Sequence, residues 1–266
     1  MSSVVITGNA RGFGYAMTEL FFEKGYDVVL CDISKEALEH AKGELEKKNC
    51  KGKIVSYQCD ITDEVQVQSF IEYVDKELGR IDIWINNAGV NQPSVAIWEL
   101  DKKVIDRLID IDLKGTILCS KMIMPYMIKQ GHGQIYNVEG YGSNDATQLG
   151  LSIYGTSKRA VTYFTEALAK ESATRNTNVL IGKITPGIMI TNFISTSLGD
   201  GDKIELDEKT KKVYNILGDY PETIAAFMVD KIINNKKNGA KFVWLSTARA
   251  SWRFMTSGFN KRDFFD

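Results

Sequence analysis

Thr7-Gly8-Asn9-Ala10-Arg11-Gly12-Phe13-Gly14 sits between a β-branched run, Val4–Thr7, and an amphipathic stretch, Tyr15–Lys24. Glycines in such a string allow a tight turn and let the backbone approach a pyrophosphate, held at the positive end of the helix that follows. The same string on its own is also an ordinary turn, so its surroundings decide. A strand precedes it, a helix follows it, and Asp32 stands at the tip of the next β-branched run, 18 residues beyond Gly14. An acidic side chain there accepts hydrogen bonds from adenosine ribose hydroxyls and repels a 2′-phosphate, which favours NAD(H) over NADP(H). Arg11 pulls the other way, because a basic loop residue could meet that phosphate; Asp32 ranks higher because it occupies the ribose position itself.

Outward from this string, short β-branched runs alternate with helical patterns. The runs are Val4–Thr7, Asp27–Cys31, Lys53–Gln58, Ile81–Asn86, Gln134–Val138, Asn178–Ile184 and Lys241–Leu245. Several are apolar throughout, as strands covered on both faces are. The spacing predicts helices over Tyr15–Lys24, Lys35–Lys48, Asp63–Leu78, Asp101–Lys129, Tyr154–Thr174 and Glu222–Asn234, with Ser34 and Asp63 or Thr62 as N-caps. This rhythm predicts an α/β fold: one Rossmann-type, doubly wound parallel sheet of about seven strands with helices on both faces, in a single domain over residues 1–266. The segment Thr191–Tyr220 breaks the rhythm and reads as a substrate lid. Residues 246–266 form an aromatic C-terminal tail, expected to pack on a neighbouring subunit or on the lid because so much aromatic surface is costly to leave wet.

Composition narrows the function. The chain has 266 residues, 33 basic and 34 acidic side chains and a net charge of −1, a balance that argues against a nucleic-acid partner. Four separated cysteines without a CxxC pair read as reduced thiols of a cytoplasmic protein, and two histidines make a histidine-built metal centre implausible. No stretch approaches the ~20 apolar residues needed to cross a bilayer. Nor does the short run Val4–Ile6 resemble a signal peptide, and with a strand so soon after Met1 no transit peptide is expected.

Tyr154-Gly155-Thr156-Ser157-Lys158 opens a long helical stretch, and a spacing of four puts Tyr154 and Lys158 on one face. An ammonium beside a phenol favours the phenolate and pulls its pKa from ~10 towards neutrality. Such a tyrosine protonates a carbonyl oxygen as the carbon receives hydride, or deprotonates an alcohol in reverse. Apolar candidates for a substrate wall, Val90, Ile97, Leu149, Leu151, Ile188, Met189 and Phe193, with Asn91 and Tyr141, suit a large hydrophobic substrate.

Over essentially its full length the chain resembles the short-chain dehydrogenase/reductase family. The matching strings are TGNARGFG, Asp32, Asp60, Asn86-Asn87-Ala88-Gly89, YGTSK, and Pro186-Gly187 followed by Thr191. The resemblance implies a cofactor site formed by Gly8, Arg11, Gly12, Phe13, Gly14, Asp32, Asp60, Ile61, Asn87, Tyr154, Lys158, Pro186 and Thr191. It implies that Asp60 meets the adenine, Lys158 the nicotinamide ribose and Thr191 the carboxamide. A homodimer or homotetramer is implied too, through the Asp101–Lys129 and Tyr154–Thr174 helices.

Two departures stand out. Asp112 occupies the place of a family asparagine that acts largely through its backbone carbonyl in a proton relay. Asn137-Val138-Glu139-Gly140 replaces N-x-S-S, so the usual serine hydroxyl is missing; Ser143 is the first candidate to replace it, with Tyr141 and Glu139 also open. The acidic string before YxxxK, and Pro221-Glu222-Thr223 leading to Trp244 and Arg253-Phe254, resemble the chlorophyll b reductase-like branch and its bacterial hydroxysteroid dehydrogenase-like relatives. The expected function is NAD(H)-dependent reduction of a ketone on a bulky ring, a steroid first and the formyl group of chlorophyll(ide) b second. A non-catalytic NAD-binding regulator is the alternative of another class.

Overall fold

Ser3–Thr7 forms β1 and is buried along its whole length. Its side chains alternate between two cores: Val4 and Ile6 enter one, Val5 the other. The remaining strands are β2 (Asp27–Asp32), β3 (Ile54–Gln58), β4 (Ile83–Asn86), β5 (Gly133–Val138), β6 (Val179–Thr185) and β7 (Ala240–Val243). All pair in parallel, in the order β3-β2-β1-β4-β5-β6-β7. These features come from a computed structural model that describes residues 1–191, 208–259 and 262–265.

The helices are α1 (Gly12–Glu23), α2 (Lys35–Glu46), α3 (Glu64–Leu78), α4 (Lys102–Leu108), α5 (Thr116–Gln130), α6 (Ser152–Thr174), α7 (Glu208–Leu217), α8 (Pro221–Ile233) and α9 (Thr247–Thr256). Met17 and Phe21 of α1 and Met228 and Val229 of α8 pack against one face of the sheet. Phe70 and Ile71 of α3 and Ile123 of α5 cover the other. Ser34 caps α2 by accepting from the Ala37 amide, and Asp63 caps α3 by accepting from Val65 and Gln66.

Three local differences from the sequence expectation matter. The helix expected over Asp101–Lys129 is divided by a π-helical turn, Ile109–Gly115, between α4 and α5. An inserted residue of this kind rotates the side chains that follow it, and it turns Asp112 wholly inward. The expected lid contains α7, while residues 192–207, with Phe193, lie outside the described residues. The expected tail contains α9, and its end returns to the lid: Phe264 packs edge-on against Tyr220, and Phe265 lies 6.4 Å from the Tyr214 ring.

Because β1 pairs with β2 on one side and β4 on the other, the winding reverses between them, which opens a crevice above the strand C-termini. Asn9 shapes its floor. The wholly buried side chain donates to Thr18 Oγ1 (2.8 Å) and to the Val29 carbonyl (2.9 Å), and it accepts from the Cys31 amide (2.7 Å). Asn9→Ala would orphan several of these groups and should cost about 2 kcal/mol of stability. Urea unfolding checks this; an unchanged midpoint would mean that the loop is held by other contacts.

Candidate active site

The turn after β1 is built for close approach. Gly8 has φ +63°, and a Cβ there would stand 2.7 Å from the Ala88 Cα of the loop after β4. Thr7 Oγ1 accepts from the amides of Asn87 and Ala88, both at 3.1 Å, and Asn87 Nδ2 donates to the carbonyls of Thr7 and Gly8. The two loops therefore form one rim.

That rim fits a dinucleotide. Arg11, exposed and extended, gives α1 no side-chain cap, unlike Ser34 and Asp63 on the next two helices. The amides of Gly12, Phe13 and Gly14 consequently meet no intrahelical acceptor and suit a pyrophosphate. Phe13 contributes only its backbone, since its ring is buried in the core. Asp32 ends β2 half-buried; its Oδ1 accepts from the Ser34 amide at 3.1 Å, and among the described residues Oδ2 accepts no hydrogen bond. Asp60 Oδ1 is tied to the amide and hydroxyl of Thr62 (2.9 and 2.7 Å), and Ile61 is buried in the core beside Gly115. Pro186 is buried after β6, and Thr191 is the last described residue before the gap.

At the other end of the crevice the π turn and α6 bring Asp112, Lys158 and Tyr154 together. Lys158 Nζ lies 2.9 Å from Asp112 Oδ2 and 5.5 Å from the centroid of the Tyr154 ring. The Asp112 side chain is fully buried, and its Oδ1 accepts from the Val90 amide at 2.8 Å. Its backbone carbonyl, the group the resemblance points to, accepts from Thr116 Oγ1 at 2.9 Å. That bond leaves the carbonyl a second lone pair, and the side chain reaches the site as well, through its ion pair with Lys158.

Burial raises the Asp112 carboxyl above its ordinary range, although Lys158 pulls it down. For Lys158, burial works against the ammonium, but Asp112 and Tyr154 overcome it and the pKa rises. The Tyr154 phenol differs from the sequence expectation. Burial pushes it above the ordinary value, Lys158 pulls it down, and the Asp112 carboxylate and Tyr214 push it up. The ammonium pulls as expected but is outweighed, partly because Asp112 offsets its charge.

Gln92, which the sequence reading did not single out, orients Tyr154. Fully buried, its Oε1 accepts from the amides of Ile153 (3.0 Å) and Tyr154 (2.8 Å), and its Nε2 donates to the Gly150 carbonyl at 2.7 Å. It acts as an N-terminal cap of α6 supplied from the loop after β4.

The three candidates for the missing hydroxyl are placed differently from one another. Glu139 turns inward: Thr162 and Thr185 donate to it at 2.8 and 2.6 Å, Lys241 pairs with it at 2.9 Å, and Lys183 lies 3.9 Å away. This removes Glu139 from the open candidates, because its charge is matched inside the protein. Tyr141 is 43% exposed and donates to the Thr147 carbonyl at 3.2 Å. Ser143 is buried; its hydroxyl donates to the Lys158 carbonyl (3.3 Å) and accepts from the Gly140 amide (3.2 Å). Gly140 itself is pressed against Tyr154: a Cβ there would collide with the phenol oxygen and stand 3.0 Å from Cζ. Of the wall candidates, Leu149 stands 94% exposed, so it is a feature of the rim and not of an enclosed wall.

A model of the short chain dehydrogenase family matches residues 2–200. The chain belongs to this family. It is 30% identical over 280 residues to a probable chlorophyll(ide) b reductase of Arabidopsis thaliana, which covers 99% of this chain and 54% of the plant protein. It is 36% identical over 191 residues to the 3-oxoacyl-[acyl-carrier-protein] reductase of Thermotoga maritima, covering 70% of this chain and 74% of that one. The chain thus spans about half the length of the plant relative. A short chain dehydrogenase from Bacillus anthracis superposes with TM-score 0.77 at 28% identity, covering 91% of this chain and 94% of its own.

Replacing Asp112 by Asn removes a negative charge that opposes ionisation of Tyr154. The acid limb of the pH–rate profile for alcohol oxidation, which needs phenolate, should move to lower pH as long as Lys158 stays charged; a limb moved to higher pH would mean that Lys158, deprived of its carboxylate, has lost its proton. Its measurement is kcat/KM against pH with saturating NAD+.

Proposed function

We propose that the chain is an NAD(H)-dependent carbonyl reductase and alcohol dehydrogenase in which Tyr154 is the proton donor. The observation that carries this reading is the buried ion pair of Lys158 and Asp112 beside the Tyr154 phenol. A phenol raised above its ordinary pKa stays protonated at neutral pH, the state needed to protonate a carbonyl oxygen. When bound, NADH supplies the hydride to the carbonyl carbon. Tyr154 gives its proton to the oxygen, and Lys158 steadies the phenolate left behind. Asp112 keeps Lys158 charged in the dry interior, and Gln92 holds the first turn of α6 in place.

The Asp32 oxygen that accepts no hydrogen bond among the described residues supports NAD(H) over NADP(H), with Arg11 exposed at the start of α1. Asp60, Ile61 and Thr191 are proposed contacts to the cofactor at its two ends. Exposed Tyr163 on α6 and Ile128 on α5 support assembly into a homodimer or homotetramer through these helices. For the substrate, we favour a carbonyl group on a bulky ring system. The plant relative that spans nearly all of this chain is named for chlorophyll(ide) b. That name supports ranking a ring-borne formyl group ahead of a steroid ketone.

NADH consumption with chlorophyllide b, a 20-ketosteroid and a simple cyclic ketone tests the reading. Turnover of at least one is expected; tight NADH binding without turnover of any would favour the non-catalytic regulator. Tyr154→Phe should reduce kcat by at least about 10³-fold while NADH affinity, read by fluorescence titration, stays within about twofold. Retained turnover would overturn the acid assignment. Asp32→Ala should relax discrimination against NADPH, and an unchanged NADH/NADPH ratio of kcat/KM would mean that another group excludes the phosphate.

A further inference from the structure

Side chains two apart on an extended chain point the same way, so Asn137 and Glu139 both face α6, where Asn137 meets Thr165 and Glu139 meets Thr162. The Glu139 carboxylate is fully buried, and a buried charge is tolerable only when it is paired and its lone pairs are filled. Here Oε1 accepts from Thr162 Oγ1 at 2.8 Å, and Oε2 accepts from Thr185 Oγ1 at 2.6 Å. Lys241 Nζ stands 2.9 Å from Oε2, and Lys183, which has its own partner in Glu166, lies 3.9 Å from Oε1.

The two threonines belong to the two sides of the reaction. Thr162 lies one turn beyond Lys158 on α6, and its hydroxyl is shared with the Lys158 carbonyl at 3.1 Å. Ser143 donates to the same carbonyl at 3.3 Å, so the stretch from Glu139 to Ser143 holds the turn that carries Lys158 at both ends. Thr185 is the last residue of β6 and leads directly into Pro186, at the proposed nicotinamide end of the cofactor site. Its carbonyl accepts from the Trp244 amide at 3.0 Å, and the Glu139 amide donates to the neighbouring Ile184 carbonyl at 2.7 Å. Thr162 and Thr185 are thus joined through Glu139, one on each carboxylate oxygen. A serine in this place would offer a single oxygen; a carboxylate offers two and spans the gap between α6 and β6.

We propose that Glu139 is a positioning residue that ties the helix carrying Tyr154 and Lys158 to the segment holding the nicotinamide, and so fixes the distance between proton donor and hydride donor. Proton and hydride go to two adjacent atoms of one carbonyl group, so a misplacement of about 1 Å between the donors costs on the order of 10²-fold in rate. Gly140 completes the arrangement from the same strand end: it lies against the Tyr154 phenol, where a Cβ would collide with the oxygen. This role rests on Tyr154 being the acid and on NADH lying in the crevice.

The test compares NADH with ADP-ribose, which lacks the nicotinamide, in Glu139→Ala and Glu139→Gln of the full chain. In Glu139→Ala the Kd for NADH should rise about 5- to 20-fold while the Kd for ADP-ribose stays within about twofold. Glu139→Gln, which keeps an acceptor for one threonine, should fall between Glu139→Ala and the unaltered chain. On the substrate with the highest turnover in the three-compound set, kcat of Glu139→Ala at saturating NADH should fall about 10²-fold, and the isotope effect with NADH deuterated at the transferred hydride should rise. A merely structural role would lower the folded fraction, and with it the amplitude of both titrations, without separating the two ligands. If Glu139→Ala does not fold, Thr185→Val makes the same comparison, because it cuts one arm and leaves Glu139 paired with Lys241. An unchanged ratio of the two affinities, or an unchanged kcat, alongside an inactive Tyr154→Phe would overturn the role of Glu139 and leave the acid assignment standing. Turnover retained in Tyr154→Phe would remove the reading beneath both. If none of the three compounds turns over, the affinities decide: an unchanged ratio overturns the proposal, and a selective loss of NADH supports it.

Discussion

An ammonium and a carboxylate share an interior at tolerable cost only when they meet, and Lys158 and Asp112 meet at 2.9 Å with almost no exposure. Their union constrains two parts of the chain. Lys158 must sit at the right angle on α6, which Gln92 secures by accepting two amides of its first turn. Asp112 must turn inward from the α4–α5 segment, which the π turn achieves by spending one extra residue. Breaking either constraint would leave an uncompensated buried charge, a defect worth about 3–5 kcal/mol. The pair therefore ties the geometry of Tyr154 to the folding of the elements around it.

A chain of buried polar side chains transmits the same constraint to the sheet. Asn86 and Asn137 face each other across β4 and β5 and are bonded at 2.8 Å. Asn86 also reaches Ser120 on α5, and Asn137 reaches Thr165 on α6. Each bond contributes only about 1 kcal/mol net, but leaving one of these groups unpaired costs more, so the arrangement selects one register and one placement of α6. Sheet and reacting group are fixed by the same contacts.

How much of this is legible in sequence depends on the distance between cause and effect. The strand runs, the glycine turn, Asp32 and the Tyr154–Lys158 spacing are local patterns, and they lead to the observed parallel sheet and its two ends. Asn9 and Gln92 are not legible, because a single amide side chain in a loop carries no periodic signal; their partners lie on β2 and at the start of α6. Glu139 was open to a substrate-facing reading for a similar reason. A hint existed in Lys183, a lone charge in the otherwise apolar strand Val179–Thr185, which demands a buried partner. Its direct partner is Glu166 on α6, and only the β6–β7 register, which sets Lys183 beside Lys241, shows that the two lysines also gather round Glu139 at the end of β5. The pKa of Tyr154 likewise required three dimensions, since neither its burial nor the charge of Asp112 follows from the spacing of Tyr154 and Lys158.

The C-terminal segment fixes the position of α7. Asp219 is buried just after α7, where it accepts from Trp244 Nε1 (2.6 Å), Arg253 Nη1 (2.7 Å) and Arg262 Nη1 (3.0 Å). Arg253 and Arg262 also donate to the carbonyls of Leu217 and Ile216, so α9 and the tail grip the last turn of α7 at several points. A single carboxylate meeting two guanidinium groups and an indole makes a charge-assisted cluster stronger than an ordinary loop contact. α7 has no fully buried side chain of its own, so its position depends on this grip more than on apolar packing. Within the tail it is thus two arginines that hold α7, helped by Phe264 against Tyr220, while Trp252, Phe254 and Phe259 stand exposed. The position of α7 is thus set at Asp219, whose own amide and carbonyl are in turn tied to Ile188 and Ile190 beyond β6, so one buried carboxylate joins helix, tail and sheet edge.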